Sequence, residues 1–238
     1  MNISIIIPSY NEIDNIEKLL SSIFQINDDF KVFIVDDSND NAIMNVAKKF
    51  HQVNYTYRGK KLGRGSAVIE GMKKVLDETS ADIIIEMDAD FSHDPQELIL
   101  NLRKFKKEKL DLLVASRYKK DSQIINWGLR RRIFSKLSNK LAQFLLKVPL
   151  TDYTNGYRIY SNRATKHVVS ECGRIGDGFI VLSEILVQLY YNGFKISEIS
   201  TIFKNRVRGV SSVTLSEVIK SLFGLYKIWK IKNILKKD

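Results

Sequence analysis

The 238-residue sequence is poor in the residues from which many functional sites are built. It has one cysteine, Cys172, together with three histidines and three prolines. A single cysteine excludes an intrachain disulfide and a CxxC-type metal site, which favours a reducing compartment. Linkers rich in proline, glycine and serine are absent as well. The composition therefore indicates one globular chain without a disulfide framework.

Long apolar runs are also missing, because no segment approaches 18 uninterrupted apolar residues. The N-terminal apolar stretch, residues 3–7, is short, lacks a basic region before it and stops at Pro8. We therefore expect neither a signal peptide nor a membrane-spanning helix. We expect a cytoplasmic location and at most peripheral contact with a membrane. Neither GxGxxG nor GxxxxGK[ST] follows the first strand, which argues against a dinucleotide fold and a P-loop.

What the sequence has in excess is positive charge. It contains 38 lysines and arginines against 27 acidic residues, a formal net charge of +11. Such a balance favours an anionic partner, which includes a nucleotide, a nucleic acid and an acidic membrane surface. Charge alone does not choose among the three.

The first half alternates short apolar segments with helical patterns. The predicted strands are residues 3–7, 31–36, 53–57, 82–88 and 110–116. Apolar residues with helical spacing lie between them, as at Ile16, Leu19 and Ile23. This alternation predicts an α/β fold in which helices cover both faces of a mostly parallel, doubly wound sheet.

The residues that follow these strands are strongly polar. In a doubly wound sheet the ligand binds beyond the carboxyl ends of the strands. Four such ends carry polar side chains, namely PSYNE from Pro8, DDS from Asp36, DAD from Asp88 and SRY from Ser116. We therefore expect the functional site at this edge of the sheet.

Asp88 and Asp90 are the strongest candidates for a metal site. Two carboxylates at one strand end repel each other unless a cation lies between them, and Mg²⁺ commonly takes one or two carboxylates together with substrate phosphates. The alternative is an exposed acidic turn in which Asp94 and Pro95 start the next helix. The pattern Asp-x-Asp alone does not decide between these interpretations.

Two further groups of side chains suit a nucleotide. Asp36 and Asp37 could accept hydrogen bonds from a base or ribose, although residues of this type also cap helices. Arginines, whose guanidinium groups fit phosphate oxygens, occur at 117, 130–132, 206 and 208. Isolated arginines are more often solvated surface residues, so these gain weight only if they converge.

Two segments of the second half predict amphipathic helices. Residues 128–148 place six apolar residues on one face, with basic and amide residues opposite: Ile133, Leu137, Leu141, Phe144, Leu145 and Val148. From residue 215 to the end, a second basic segment places Val218, Ile219, Leu222, Tyr226 and Trp229 on one side. Such helices either pack on the sheet or lie on an anionic membrane surface.

The motifs taken together, and in this order, resemble those of family 2 glycosyltransferases with a GT-A fold, in particular the dolichyl- or polyprenyl-phosphate mannose synthases. The resemblance covers roughly residues 3–215. It is carried by these stretches: IIIPSYNE, VDD, LGRGSAVIEGM, MDADFSHDP, ASRY, NWGLRRR, TNGYRIY, GFIVLSEILVQLYYNGFKISEI and RVRGVSS.

The resemblance implies transfer of a sugar, typically mannose from GDP-mannose, onto a polyprenyl or dolichyl phosphate with inversion at the anomeric carbon. It implies a Mg²⁺ or Mn²⁺ cofactor and no nucleic acid. It also implies a catalytic domain over residues 1–212 and a basic, membrane-surface helix over residues 213–238, at the cytoplasmic face.

The same resemblance assigns the site residues. Pro8, Tyr10, Glu12, Val35 and Asp37 would hold the nucleoside. Asp88, Ala89 and Asp90 would hold the diphosphate and the metal, with Ser92 as a further candidate ligand. Arg117, Arg131 and Arg206 would grip phosphates, including the phosphate of the lipid acceptor.

Three positions depart from the family pattern. Ser92 stands where many relatives carry a glutamine ligand, so water or His93 could take that place. Ser212 replaces a lysine, and Asn155 stands where serine is commoner. These departures leave the sugar and the acceptor open.

Two other functions remain possible from the sequence. One is transfer to a sugar hydroxyl, which needs a general base, with Asp152, Asp177 and Glu184 as candidates. The other is a non-catalytic domain that binds nucleic acid or an anionic membrane, although no nucleic-acid-binding motif supports it.

Overall fold

Nine strands and eight helices form the part of the chain that the computed structural model describes, residues 1–205 and 215–236, with side chains described outside residues 215–220. The strands are β1 (Ile3–Ser9), β2 (Lys31–Asp36), β3 (Val53–Tyr57), β4 (Ile83–Glu86), β5 (Leu112–Ser116), β6 (Gln123–Ile125), β7 (Arg158–Ser161), β8 (Ile196–Ser200) and β9 (Ile202–Lys204). The helices are α1 (Ile13–Ile26), α2 (Ala42–Ala47), α3 (Arg64–Glu78), α4 (Glu97–Lys107), α5 (Leu129–Leu146), α6 (Asn162–Glu171), α7 (Ile180–Tyr191) and α8 (Leu215–Leu235).

Seven strands form one sheet in the order β3-β2-β1-β4-β7-β5-β8. β1 pairs in parallel with β2 and β4, and β5 pairs in parallel with β8. The predicted α/β architecture is confirmed. The exception to parallel pairing is β7, which lies antiparallel between β4 and β5. No strand was predicted from the sequence for this segment, nor for β6, β8 and β9.

The strands are apolar on both faces, and this composition fixes the layers. In β1, Ile6 points into a core beneath α3, α6 and α7, whereas Ile5 and Ile7 point into a second core beneath α1, α2 and α4. Successive side chains of a strand face opposite sides, so a run of isoleucines requires helices on both. The pattern read from the sequence as a doubly wound sheet therefore corresponds to two separate cores.

The loop before β7 is held by a buried arginine. Arg158 is fully buried, and its guanidinium donates hydrogen bonds to the backbone oxygens of Tyr153, Asn155 and Leu182. Buried charge is tolerated only where hydrogen bonds replace its hydration. Arg158 thereby ties residues 153–155, two of which, Thr154 and Asn155, line the site described below, to helix α7.

Helix α5 turns most of its apolar face outward, away from the rest of the protein. It contacts the rest of the protein through Asn139, Ala142 and Leu146, which are buried. Four of the six residues predicted to share an apolar face are exposed: Ile133, Leu137, Leu141 and Phe144. Of the other two, Val148 is buried and Leu145 packs against the core. Packing on the sheet therefore does not explain the apolar stripe.

Helix α8 lies against α5 and α7. Leu225 and Ile228 are buried in the core that α7 shares, and the Nζ of Lys232 donates a hydrogen bond to the carbonyl of Leu145 at 3.0 Å. Leu222, Tyr226 and Trp229 are exposed. The side chains of Val218 and Ile219, and the predicted domain boundary at residue 212, lie outside the described residues. None of the described helices combines the length and the apolar composition that a membrane-spanning segment needs.

Candidate active site

One cavity of about 80 Å³ lies beyond the carboxyl ends of β4 and β5. Its lining combines the two carboxylates with two of the arginines that the sequence analysis selected. The lining residues are Asp88, Asp90, Ser92, Arg117, Trp127, Arg131, Thr154, Asn155, Phe179, Phe203 and Asn205. Asp90 and Asn205 also line a neighbouring cavity of about 320 Å³. The two aspartates and the two arginines therefore come together although 43 residues, from 88 to 131, separate them in the sequence.

Asp88 is held by an arginine that the sequence analysis did not assign to the site. Arg64, the first residue of α3, donates from Nε and Nη2 to Oδ1 of Asp88 at 2.8 and 2.6 Å. Its Nη1 donates to Oε1 of Glu86 at 2.6 Å. Burial opposes ionisation of Asp88, but Arg64 outweighs it, so the pKa of the Asp88 carboxyl lies below its ordinary value. Asp88 is therefore a carboxylate at neutral pH.

His93 serves the structure of this turn. Its Nε2 lies 2.9 Å from Oδ1 of Asn155, and Nδ2 of Asn155 donates to the carbonyl of Ala115. Because Oδ1 can only accept, Nε2 carries the proton, and Nδ1 accepts the backbone N–H of Asp88 at 3.3 Å. Both ring nitrogens are thus occupied, so His93 does not replace the glutamine ligand of related sequences.

The chain offers two carboxylates to a metal ion. Within residues 1–205 and the described part of α8, no group of three or more histidine, cysteine or acidic side chains is arranged to hold one. Asp88 and Asp90 line the same cavity, and Ser92, which is buried there, donates its backbone N–H to Oδ1 of Asp90. Two oxygen ligands fit Mg²⁺ or Mn²⁺ when diphosphate and water complete the coordination. The donor set therefore suits a metal that arrives with a nucleotide.

Arg117 is fixed in place by Asp152. Oδ2 of Asp152 accepts from the backbone N–H and Nε of Arg117 at 2.9 and 2.7 Å, and Oδ1 accepts from Nη2 at 2.8 Å. Burial opposes the charge of Asp152, but Arg117 outweighs it, so the pKa of Asp152 lies below its ordinary value. The guanidinium also lies 5.5 Å from the ring centre of Trp127. Arg117 therefore reaches the cavity with a fixed orientation.

Arg131 enters the cavity from the first turn of α5. Its guanidinium lies 4.1 Å from the ring centre of Trp127, within cation–π distance, and Nη1 donates to Oδ1 of Asn205 at 3.0 Å. The buried Nε1 of Trp127 has no hydrogen-bond acceptor among the described residues. Arg206, the third predicted phosphate-binding arginine, and Ser212 lie outside the described residues.

The carboxylate of Asp37 is occupied by the loop before α3. Oδ1 accepts from Nε of Arg58 at 2.5 Å, and Oδ2 accepts from the backbone N–H groups of Leu62 and Gly63, each at 2.9 Å. Gly63 has a φ of 102°, which favours glycine. Asp37 therefore organises the loop that leads into Arg64. A nucleoside bound by Asp37 would have to share its carboxylate oxygens with these three donors.

The other residues predicted to hold a nucleoside lie at the ends of the same strands. Pro8 and Val35 are buried, directly opposite partners in β1 and β2, and Ala89 is buried beside Asp88. Tyr10 is exposed, and Nζ of Lys61 lies 4.6 Å from its ring centre. The Glu12 carboxylate accepts a hydrogen bond from Asn15 in the first turn of α1. Their role in binding a nucleoside stays a prediction.

Several side chains at the site were not singled out as site residues in the sequence. Arg64, Glu86 and Tyr160 form the contacts behind Asp88, and the cavity is also lined by Trp127, Thr154, Phe179, Phe203 and Asn205. Arg64 stands in LGRGS and Trp127 in NWGLRRR, so their motifs were noticed, but their partners are distant in sequence. Glu86 is the residue that could have been found from the sequence, because it continues the apolar run of the predicted strand 82–88. A carboxylate buried there requires a positively charged or hydrogen-bonding partner.

The profile of glycosyl transferase family 2 matches residues 4–169, and the chain belongs to this family. It is a glycosyltransferase, as the sequence motifs predicted. Solved structures of glucosyl-3-phosphoglycerate synthase from Mycobacterium tuberculosis share the GT-A-type fold. The complex with Mn²⁺, UDP-glucose and phosphoglyceric acid matches with a TM-score of 0.67 at 18% identity, covering 96% of this chain and 80% of that one.

Two curated relatives match almost the whole chain. Polyprenol monophosphomannose synthase of Mycolicibacterium smegmatis is 29% identical over 236 residues, which cover 97% of this chain and 88% of the relative. Dolichol-phosphate mannosyltransferase of Pyrococcus furiosus is 32% identical over 237 residues, which cover 97% of this chain and 64% of the relative. The chain therefore spans less than two thirds of the Pyrococcus protein.

We predict that Asp152→Asn lowers the free energy of unfolding by about 3 kcal/mol at neutral pH, because it leaves Arg117 buried without its counter-charge. The folded-state pKa of Asp152 is below the ordinary value of 3.8. The stabilisation from the ionised carboxylate is therefore fully present above about pH 4, and it is lost as the pH falls from 3.8 through the lower folded-state pKa. Urea unfolding should therefore show a smaller difference from wild type at about pH 3 than at about pH 7.

The matched control is Asp77→Asn, which alters an exposed carboxylate of α3. It should change the free energy of unfolding by less than about 0.5 kcal/mol. A difference between wild type and Asp152→Asn that is equal at both pH values would contradict the assigned ion pair.

Proposed function

We propose that this protein transfers mannose from GDP-mannose to a polyprenyl or dolichyl phosphate, with a bound Mg²⁺ or Mn²⁺ ion and inversion at the anomeric carbon. The observation that carries the proposal is the cavity itself, which is lined by two carboxylates, two arginines and Trp127, whose buried indole N–H has no acceptor among the described residues. The names of the two curated relatives support the sugar and the acceptor. The Mn²⁺ complexes of the solved neighbour support the metal.

The donor would bind with its diphosphate beside Asp88 and Asp90. A divalent cation bound there supplies positive charge to the leaving diphosphate as the bond to the sugar breaks. Arg117 would face the same developing charge. Because its orientation is fixed by Asp152, it needs no rearrangement during the reaction.

The acceptor phosphate would lie against Arg131 and Trp127. A phosphate monoester has a second pKa near about 6, so at neutral pH it is mostly a dianion that attacks without a general base. Arg131 would supply charge-assisted hydrogen bonds, and Trp127, whose buried Nε1–H has no acceptor among the described residues, would lie beside the phosphate. The chemistry of the cavity therefore suits a phosphate acceptor.

Transfer to a sugar hydroxyl is less well supported, because it needs a carboxylate base at the cavity. Asp152 does not line the cavity and is bound to Arg117, and Asp177 is exposed and also lies outside the lining. Glu184 is buried and accepts the backbone N–H of Gly173, away from the cavity. None of the three candidate bases is in a position to deprotonate a hydroxyl there.

We also propose that α5 and α8 place the site on the surface of an anionic membrane, at its cytoplasmic face. Six apolar residues of α5 are exposed: Leu129, Ile133, Phe134, Leu137, Leu141 and Phe144. Exposed basic residues flank them at 130, 132, 136 and 140. A helix with this composition partitions into the interface between headgroups and acyl chains.

The membrane surface and the phosphate site share one helix. Arg131 reaches the cavity from the first turn of α5, and the exposed apolar stripe begins in the same turn at Leu129 and continues along the helix. A lipid phosphate bound at Arg131 would therefore have its isoprenoid chain next to the apolar face. This arrangement supports a membrane lipid rather than a soluble phosphate as the acceptor.

The function is tested by incubating the purified protein with polyprenyl phosphate in detergent, Mg²⁺ or Mn²⁺, and either GDP-mannose or UDP-glucose. We expect mannosyl transfer that EDTA abolishes. Asp90→Asn should reduce turnover about a hundredfold or more, because a ligand of the cation at the leaving diphosphate is lost. Asp77→Asn is the matched control. Transfer from neither donor would refute the proposal, and wild-type turnover of Asp90→Asn would refute the metal site.

The acceptor site is tested by Arg131→Ala. We predict that the KM for polyprenyl phosphate rises by roughly tenfold to a hundredfold, as expected for the loss of charge-assisted hydrogen bonds, while the KM for GDP-mannose changes little. Arg103→Ala removes an exposed arginine of α4, away from the cavity and from the apolar face of α5, and serves as control. Equal increases of both KM values in Arg131→Ala would argue against its place at the acceptor.

The membrane surface is tested by sedimentation with vesicles that contain anionic lipid but no polyprenyl phosphate. The double variant Phe134→Glu, Phe144→Glu should partition at least about tenfold more weakly than wild type, because two aromatic side chains that the membrane would bury contribute about 1.5–3 kcal/mol each. Leu100→Glu alters an exposed apolar residue of α4 and should bind as wild type does. Unchanged partitioning of the double variant would rule out α5 as the membrane contact.

A further inference from the structure

Arg64 lies between two carboxylates at the end of β4. It donates two hydrogen bonds to Asp88 and one to Glu86, at 2.6 to 2.8 Å. Both bonds to Asp88 end on the same oxygen, Oδ1. None of the described residues donates a hydrogen bond to Oδ2 of Asp88. The nearby ring nitrogen, Nδ1 of His93, lies 3.9 Å from Oδ2 and carries no proton, because it accepts the backbone N–H of Asp88. Arg64 thus fixes which oxygen of Asp88 is available for another ligand.

The position of Arg64 is itself fixed. Glu86 is fully buried, and its second oxygen accepts a hydrogen bond from the hydroxyl of Tyr160 at 2.7 Å. If Arg64 left, Glu86 would be a buried carboxylate without a counter-charge, which is strongly unfavourable. The order Tyr160, Glu86, Arg64, Asp88 is therefore a chain of contacts that starts in the core and ends at the cavity.

Gly156 provides the space in which the guanidinium lies. A Cβ at this position would be 1.8 Å from Nη2 and 2.5 Å from Cζ of Arg64. Any larger residue would force Arg64 out of its place. The glycine of the TNGYR motif thus has a specific role, which is to admit the arginine against the backbone of the loop before β7.

We propose that Arg64 is a positioning residue for the metal site: it holds Asp88 through Oδ1, so that Oδ2 faces the cation. The inference rests on the proposed function, because it assumes that Asp88 and Asp90 bind a metal. Groups that orient a metal ligand typically change metal affinity by 10- to 100-fold when they are removed. Nothing in the family match or the relatives' names assigns this role to Arg64.

The charge of Arg64 makes the proposal sharply testable. If Arg64 acted only through its charge, removing a cation next to a metal site would make metal binding tighter. If Arg64 positions Asp88, removing it makes metal binding weaker. The two explanations therefore predict changes of opposite sign.

The experiment is isothermal titration of Mn²⁺ into the full chain with GDP present, and in a second arm with UDP. We expect Arg64→Gln to bind Mn²⁺ at least about tenfold more weakly than wild type. Gly156→Ala should weaken binding in the same direction, although it removes no charge, because it displaces the guanidinium. Arg103→Gln removes an exposed arginine of α4 and should bind as wild type does.

Circular dichroism of each variant shows whether it folds, and if Arg64→Gln does not fold, Gly156→Ala decides. If Arg64→Gln folds and binds Mn²⁺ as tightly as wild type or more tightly, the inference is overturned. If Arg64→Gln does not fold, unchanged Mn²⁺ binding by Gly156→Ala overturns it. Either result leaves the proposed function standing. If wild type binds no Mn²⁺ with either nucleotide, the metal site of the proposed function fails, and the inference fails with it.

Discussion

The arrangement of the site depends on the ion pairs that Arg64 makes with Glu86 and Asp88. Strand β4 is buried along its whole length, yet it ends in one carboxylate and is followed two residues later by another. Ionised groups at such depth cost several kcal/mol each unless an opposite charge and hydrogen bonds compensate. Arg64 provides both, and its own place depends on the loop that Asp37 orders through Leu62 and Gly63. Arg64 and the loop before it thereby connect the end of β2 with the end of β4.

The same principle appears at the end of β5, where Asp152 holds Arg117 with three hydrogen bonds. Each of these two arginines has a buried carboxylate partner, so its direction is set when the chain folds. Helix α5 then adds Arg131 from the other side of the cavity, and its outward face is apolar. The proposed transfer from a water-soluble donor to a membrane lipid would require such a meeting of a polar cavity with an apolar surface.

Much of this could be predicted from the sequence, for reasons that can be stated. The parallel strands follow from apolar runs at regular intervals, and Asp88 and Asp90 were found because carboxylates rarely follow a buried strand without a partner. β7 was missed because four residues, two of them polar, give no periodic signal. The orientation of α5 was open, since periodicity defines an apolar face but does not say whether protein or lipid covers it. Arg64 was missed because its partners lie 22 and 24 residues away.

These contacts also imply that stability and activity are coupled at the site. A guanidinium that is oriented in advance stabilises developing negative charge without reorganisation, which is the main source of electrostatic catalysis. The same fixed orientation requires buried carboxylates such as Glu86 and Asp152, whose removal leaves an unpaired buried charge. Substitutions at these two positions should therefore lower both the free energy of unfolding and the rate, whereas Arg131, which is half-buried and stacks on Trp127, can be altered at less cost to the fold.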